Sequence, residues 1–156
     1  FTALNTEDGS IGFYRHGDRI GTMVQLTGGN EELAKDLAMH VAANRPQAIS
    51  PDELSQELLD KERDIVATQA RDSGKPENII EKMVEGRLRK FYEEVTLVKQ
   101  AFVINPDQTV EQAVEALAKD LGTEVKLVGF VRFALGEGIE KEEQDFAAEV
   151  AAATGQ

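Results

Sequence analysis

Two long amphipathic segments, separated only by Ser73-Gly74-Lys75-Pro76, constrain the fold of this chain more than any other feature. Gly74 suits the left-handed end of one helix, and Pro76 suits the first turn of the next. The second segment repeats apolar residues at helical spacing, at Ile80, Val84, Leu88, Phe91 and Val95. Two long helices with so short a connector predict an antiparallel helical hairpin. We expect this hairpin to form a protruding coiled-coil arm over residues 52–95.

A start signal precedes the arm at Ser50-Pro51-Asp52-Glu53. Serine is a favourable N-cap, proline is favourable at the first helical position, and a glutamate three residues after the cap completes a capping box. The pattern therefore predicts that the first arm helix begins directly after Ser50. We expect it to run to about Asp72.

A β-hairpin is predicted near the beginning of the chain. Residues 10–14 have strand character, and residues 19–26 alternate apolar and polar side chains with a period of two. Between them lies the glycine-containing turn His16-Gly17-Asp18, which is typical of a tight connection between antiparallel strands. A third strand is expected over residues 123–135, and it must return to pair with the hairpin.

Helices are expected between these elements and after them. Asn30 is a suitable N-cap for a helix that ends at Arg45-Pro46, and residues 109–122 and 141–153 form two further helical patterns. The predicted fold class is α+β, a three-stranded antiparallel sheet covered by helices. We expect a lead-in at residues 1–9, a core at 10–51 and 96–139, the arm at 52–95, and a C-terminal helical module at 140–156.

Composition narrows the function classes. The 156 residues carry 17 Lys and Arg against 29 Asp and Glu, a net charge of −12, which disfavours direct binding to nucleic-acid phosphates. There is no cysteine, which excludes disulfides and thiolate metal sites and fits a cytoplasmic protein. No apolar run approaches the ~20 residues needed to span a membrane. Because the chain begins at Phe1, we expect it to be a fragment of a longer protein.

The residues suggest no catalytic or cofactor site. His16 and His40 lack the spacing of metal ligands, so we expect no metal and no cofactor. The stretch from Gly136 to Lys141 lacks the third glycine of a dinucleotide loop and the Gly-Lys-Ser/Thr end of a phosphate loop. Since no Ser-His-Asp cluster stands out either, we expect a binding protein and not an enzyme.

Three motifs identify a likeness to a known family. They are Tyr14-Arg15-His16-Gly17-Asp18-Arg19-Ile20-Gly21, Glu81-Lys82-Met83-Val84-Glu85-Gly86-Arg87-Leu88-Arg89-Lys90-Phe91, and Phe130-Val131-Arg132-Phe133-Ala134-Leu135-Gly136-Glu137-Gly138-Ile139-Glu140-Lys141. In this order and spacing they resemble the C-terminal half of bacterial elongation factor Ts, from about residue 10 to the end. The resemblance implies a nucleotide-exchange factor that binds the GTPase elongation factor Tu and promotes release of GDP.

The resemblance also implies which residues contact the partner. The hairpin residues Tyr14, His16 and Gly17 match the family's partner-facing hairpin, and Asp145 and Phe146 match its C-terminal helix. On the residues alone, His16 is instead predicted to be an exposed turn residue, and it is the resemblance that favours partner contact. The Thr-Asp-Phe-Val motif, whose phenylalanine wedges into the GTPase in this family, does not occur in the sequence. Gln144-Asp145-Phe146-Ala147 is only similar to it.

Two other functions remain open at this point. A scaffold or oligomerisation module could use the arm, and an exposed apolar seam on the arm would favour that role. A homodimer is a related expectation. An enzyme acting on small molecules would need a concave pocket with converging polar groups.

Overall fold

A three-stranded antiparallel sheet forms the centre of the molecule. The computed structural model describes Leu4 and residues 9–137. Strands β1 (Gly9–His16), β2 (Ile20–Thr27) and β3 (Lys126–Ala134) lie in the order β1-β2-β3. In the middle of the sheet Phe13 pairs with Met23, which pairs with Val131, and a register shift follows at Gln25/Leu26. The predicted α+β class and the predicted antiparallel sheet are both confirmed.

Helix α1 (Glu31–Asn44) packs on one face of this sheet, and the contact is unusually close. A Cβ atom added to Gly12 would lie 2.0 Å from the backbone of Ala34, so β1 can approach the helix only because residue 12 has no side chain. On the neighbouring strand β2, the hydroxyl of Thr22 donates a 2.6 Å hydrogen bond to the carbonyl of Ala38 in α1. The hairpin and α1 are therefore joined by both packing and a buried polar contact.

The hydrophobic core lies between the sheet, α1 and helix α4 (Val110–Leu121). The predicted N-cap Asn30 is confirmed, since its side chain accepts from the backbone N–H of Leu33 at 2.8 Å. Thr109 and Gln112 form a complete capping box at the start of α4, which ends at Gly122 in the left-handed conformation. The largest apolar side chains that are fully buried are Val24, Leu26, Leu37, Val41, Leu97 and Val110.

The predicted helical hairpin is present as α2 (Gln56–Asp72) and α3 (Glu77–Val95). Arg87 of α3 reaches Glu62 of α2 at 3.1 Å, and Arg71 reaches Glu77 at 3.2 Å, which places the two helices antiparallel. The buried side chains within the hairpin are Ala70, Ile80, Phe91 and Val95, and none of them belongs to the core cluster. The name arm is used below for residues 56–95.

The predicted start of the arm was wrong by several residues. Residues Pro51–Glu53 form a single 3-10 turn, Leu54 is extended, and α2 begins only at Gln56, capped by the side chain of Ser55. Ser50 makes no capping hydrogen bond. The carboxylate of Glu53 instead accepts from the backbone N–H of Ile49 at 2.7 Å, so the capping-box residues close a turn and not a helix.

Candidate functional site

The predicted contact residues Tyr14 and His16 lie together at the end of β1. The hydroxyl of Tyr14 and Nδ1 of His16 are 3.1 Å apart, and the two ring centroids are 6.3 Å apart. His16 is exposed, but it is the last residue of β1 and pairs with Ile20, so its placement in the turn was wrong. Alternation along the strand explains the arrangement, since residues two apart share one face of a sheet.

Gly17 begins the turn and has the left-handed φ of 56° that this position requires. Nothing lies within 4 Å of a Cβ added there, so its surroundings are open to a partner. The turn is closed by a hydrogen bond from the N–H of Arg19 to the carbonyl of His16 at 3.4 Å. The N–H of Leu135, just beyond β3, donates to the carbonyl of Arg19 at 2.7 Å and holds the turn from the other side.

A concave surface lies between the hairpin tip and the end of α1. This cavity has a volume of about 350 Å³ and is lined by Tyr14, His16, Ile20, Met39, Ala42, Ala43 and Arg45. Its α1 side is mostly apolar, while the histidine, the tyrosine hydroxyl and the arginine supply polar groups. Such a cleft suits one apolar or aromatic side chain of a protein partner, with hydrogen bonds around it. We call it the tip cleft.

The tip is locally basic although the chain as a whole is acidic. Arg15, Arg19 and Arg45 lie at or near the turn, and Asp18 is the acidic residue of the turn. Arg15 and Asp18 approach to 3.9 Å, and their side chains are 67% and 97% exposed, so this ion pair leaves both charges available. The tip can therefore receive an acidic or strongly polar partner surface.

The role of His40 was not predicted from the sequence, where this residue was considered as a metal ligand and excluded. The side chain is completely buried and contacts Gln100 at 2.8 Å and the backbone N–H of Val103 at 3.1 Å. Burial lowers the pKa of His40 below 6.5, and the hydrogen bond to Gln100 partly opposes this shift. The sequence signal for its burial was the position of His40 within the alanine-rich apolar stripe of α1. Its partners could not be inferred, because Gln100 and Val103 lie about 60 residues further along the chain.

The sheet face opposite α1 is a second surface that sequence reasoning missed. Its apolar side chains are largely uncovered, with Phe13 58% and Phe133 56% exposed and with Ile11 beside them. We call this the outer sheet face. Towards the turn it continues into a shallow groove of about 440 Å³ lined by Phe13, Phe133, Leu135 and the arginines of the turn.

The remaining predicted contacts, Asp145 and Phe146, lie outside the described residues. Within residues 9–137, no cluster of three or more His, Asp or Glu side chains could hold a metal ion. No helix in that part of the chain is long and apolar enough to cross a membrane.

Comparison with known proteins assigns the family. The family model described as "Elongation factor TS" matches residues 1–137, which include the hairpin, α1, the arm and β3. The chain belongs to the elongation factor Ts family. The resemblance of the three sequence motifs is thereby confirmed.

Individual relatives in this family agree. The chain is 52% identical to elongation factor Ts of Parvibaculum lavamentivorans over 96% of its own length and 52% of that protein. It is 58% identical to the Caulobacter sp. protein of the same name, over 88% of the chain and 46% of the relative. The protein of Thioalkalivibrio sulfidiphilus is 54% identical over 92% of the chain and 47% of the relative. The chain thus spans about half the length of these relatives.

Proposed function

We propose that this chain acts in translation as part of a guanine-nucleotide exchange factor that binds elongation factor Tu and promotes release of GDP. The observation that carries the proposal is the family match across residues 1–137, which includes the hydrogen-bonded pair Tyr14 and His16. The proposed contacts in this chain are the tip cleft with Gly17, together with Asp145 and Phe146. The proposed location is the cytoplasm, and the proposed role is binding and not chemical catalysis.

Exchange of this kind follows from thermodynamic linkage. A protein that binds the nucleotide-free GTPase more tightly than the GDP-bound form must weaken GDP binding by the same factor. The chain then needs no nucleotide site, metal or cofactor of its own. Its surface needs only to complement elements of the GTPase that differ between the two states.

Calorimetry with purified elongation factor Tu tests this proposal. We expect the chain to bind nucleotide-free elongation factor Tu more tightly than the same protein in excess GDP. Equal affinities in the two conditions would contradict the exchange role while leaving simple binding intact. Binding is the better first measurement, because the sequence lacks the Thr-Asp-Phe-Val motif associated with the family's wedge.

A homodimer through the outer sheet face is a second candidate role. The exposed side chains of Ile11, Phe13 and Phe133 form an apolar surface on one face of the sheet, and within residues 9–137 the helix packed on the sheet, α1, lies on the other face. The arm is a weaker candidate for self-association, since its best-packed residues, Ala70 and Ile80, are already buried between its two helices. A self-association measurement on a Phe13 variant distinguishes the two surfaces.

A further inference from the structure

One buried amide connects the ends of two helices at the base of the arm. The Nε2 group of Gln100 donates to the carbonyl of Glu94 near the end of α3 at 2.9 Å, and it lies 3.4 Å from the carbonyl of Asn44 at the end of α1. Carbonyls in the last turn of a helix have no partner within the helix. The amide of Gln100 supplies a hydrogen-bond donor to one such carbonyl of each helix, so α1 and α3 share a single cap.

His40 determines which way this amide faces. The N–H of Val103 donates to Nδ1 of His40 at 3.1 Å, so Nδ1 carries no proton and the neutral ring carries its proton on Nε2. Nε2 then donates to Oε1 of Gln100 at 2.8 Å. With its oxygen held by His40, Gln100 must turn its NH₂ group towards the two helix ends.

The backbone gives the arm another attachment to the core. The N–H of Gln47 donates to the carbonyl of Val95, and the N–H of Leu97 donates to the carbonyl of Ala48. These bonds hold the point where α3 leaves the core. Carbonyls of successive helical residues lie about 100° apart around the helix axis, so the bond from Gln100 to Glu94 holds this helix end on a second side and restrains its tilt.

Fixing that direction matters because the arm is long. The 19 residues of α3 extend about 28 Å, so a tilt of about 10° at the base moves the tip by about 5 Å. From this geometry we propose that His40 and Gln100 are positioning residues that set the direction of the arm relative to the sheet and thereby present it to the partner. The second half of this statement rests on the proposed function; the first half does not.

The direction of the arm can be measured without any partner. Because the chain has no cysteine, Lys75→Cys near the tip of the arm and Lys119→Cys on α4 introduce two exposed sites for spin labels. Double electron–electron resonance spectroscopy then gives the distribution of distances between the two spin labels. In this background, Gln100→Met and His40→Leu remove the polar contacts while keeping similar side-chain volumes.

We expect both variants to broaden or shift the distance distribution relative to the parent protein. His40→Gln serves as the conservative variant, since its amide can donate to Gln100 from near the position of Nε2, and it should restore a narrow distribution. Val24→Ala is the control for lost stability, because Val24 is fully buried in the core, lies on β2, and belongs to neither of the helix ends joined by Gln100. It should melt earlier and leave the distribution unchanged.

Binding to nucleotide-free elongation factor Tu completes the test. If the productive arm direction is populated about a tenth of the time in Gln100→Met, the apparent affinity falls about tenfold. Unchanged distances in both disrupting variants would overturn the proposal, and the histidine and glutamine would then serve stability alone. Changed distances without any binding by the parent protein would contradict the proposed function and not the positioning role. If Gln100→Met does not fold, His40→Leu with His40→Gln decides the same question.

Discussion

The hydroxyl of Tyr14 lies 3.1 Å from Nδ1 of His16, and both side chains border the tip cleft beside the end of α1. Tyr14 is half-buried against the core, whereas His16 is exposed at the end of the edge strand and contributes little to the core. An exposed histidine oriented by a half-buried tyrosine beside an apolar cleft is the kind of surface that forms the centre of a protein interface.

Replacing His16 with alanine should therefore weaken partner binding without unfolding the protein. The free energy of unfolding should change by no more than the ~0.5 kcal/mol typical of a surface position. Affinity for elongation factor Tu should fall about tenfold, which corresponds to about 1.4 kcal/mol. Urea melts and calorimetry measure the two quantities. Lys119→Ala, at an exposed position of α4 that belongs to neither the hairpin tip nor the arm, is the control. A shifted melt with unchanged affinity would make His16 a purely structural residue.

Gly12→Ala should be strongly destabilising. The new Cβ would lie 2.0 Å from the backbone of Ala34, which cannot move without shifting α1. We expect a loss of about 3 kcal/mol, at the upper end for an overpacked site. Gly21→Ala on the adjacent strand is the matched control, because nothing lies within 4 Å of its added Cβ, and it should change stability by about 0.5 kcal/mol or less. Chemical denaturation compares the two, and equal effects would disprove the close approach.

The arm should be separable from the core. Its buried side chains lie outside the core cluster, and the backbone bonds at its base involve residues 47–49 and 95–98. Replacing residues 56–93 with a flexible Gly/Ser linker should leave one cooperative thermal transition and a native-like strand signal by circular dichroism. Loss of the transition would show that the core depends on the arm. Until then, the proposed division into core and arm stays a prediction.

The stability of the protein should depend on pH through His40. Burial lowers its pKa below the 6.5 of an unfolded histidine, so the unfolded chain takes up the proton first. The stabilising effect of the neutral side chain is fully present above pH 6.5 and is lost as the pH falls below that value. His40→Gln removes this titration. Asp36 contributes a slope of the opposite sign, because burial raises its pKa above 3.8.

The measurement is the difference between the parent protein and His40→Gln. Since Asp36 is present in both, its contribution cancels in that difference. Urea unfolding between about pH 7.5 and pH 5 should show a steeper loss of stability in the parent protein. Parallel pH profiles would mean that His40 titrates alike in the folded and unfolded states.

The outer sheet face should govern self-association. Phe13→Glu places a charge in the middle of this face and should lower the average mass measured by sedimentation at high protein concentration. Thr27→Glu, an exposed position at the end of β2, is the control and should leave the mass unchanged. A parent protein that is monomeric at every concentration would contradict the homodimer.

Local signals predicted most of the fold. Asn30 acts as the predicted cap, and Thr109 and Gly122 cap the helix that was predicted over residues 109–122, since a cap depends only on residues within one turn. The start of the arm was wrong because Ser50 and Glu53 can close either a helix or a turn, and Glu53 bonds Ile49 instead. The contact of His40 with Gln100 could not be predicted, because it depends on how two distant segments meet.

The hydrogen bond between Thr22 and Ala38 has a consequence for the whole molecule. It ties the hairpin to the middle of α1, while the end of the same helix shares its cap with the arm through Gln100. Helix α1 therefore supports both the hairpin tip and the base of the arm. A partner that contacts the hairpin tip and the arm together meets two surfaces held at a fixed distance from each other. A force applied to one of them is transmitted to the other along this single helix.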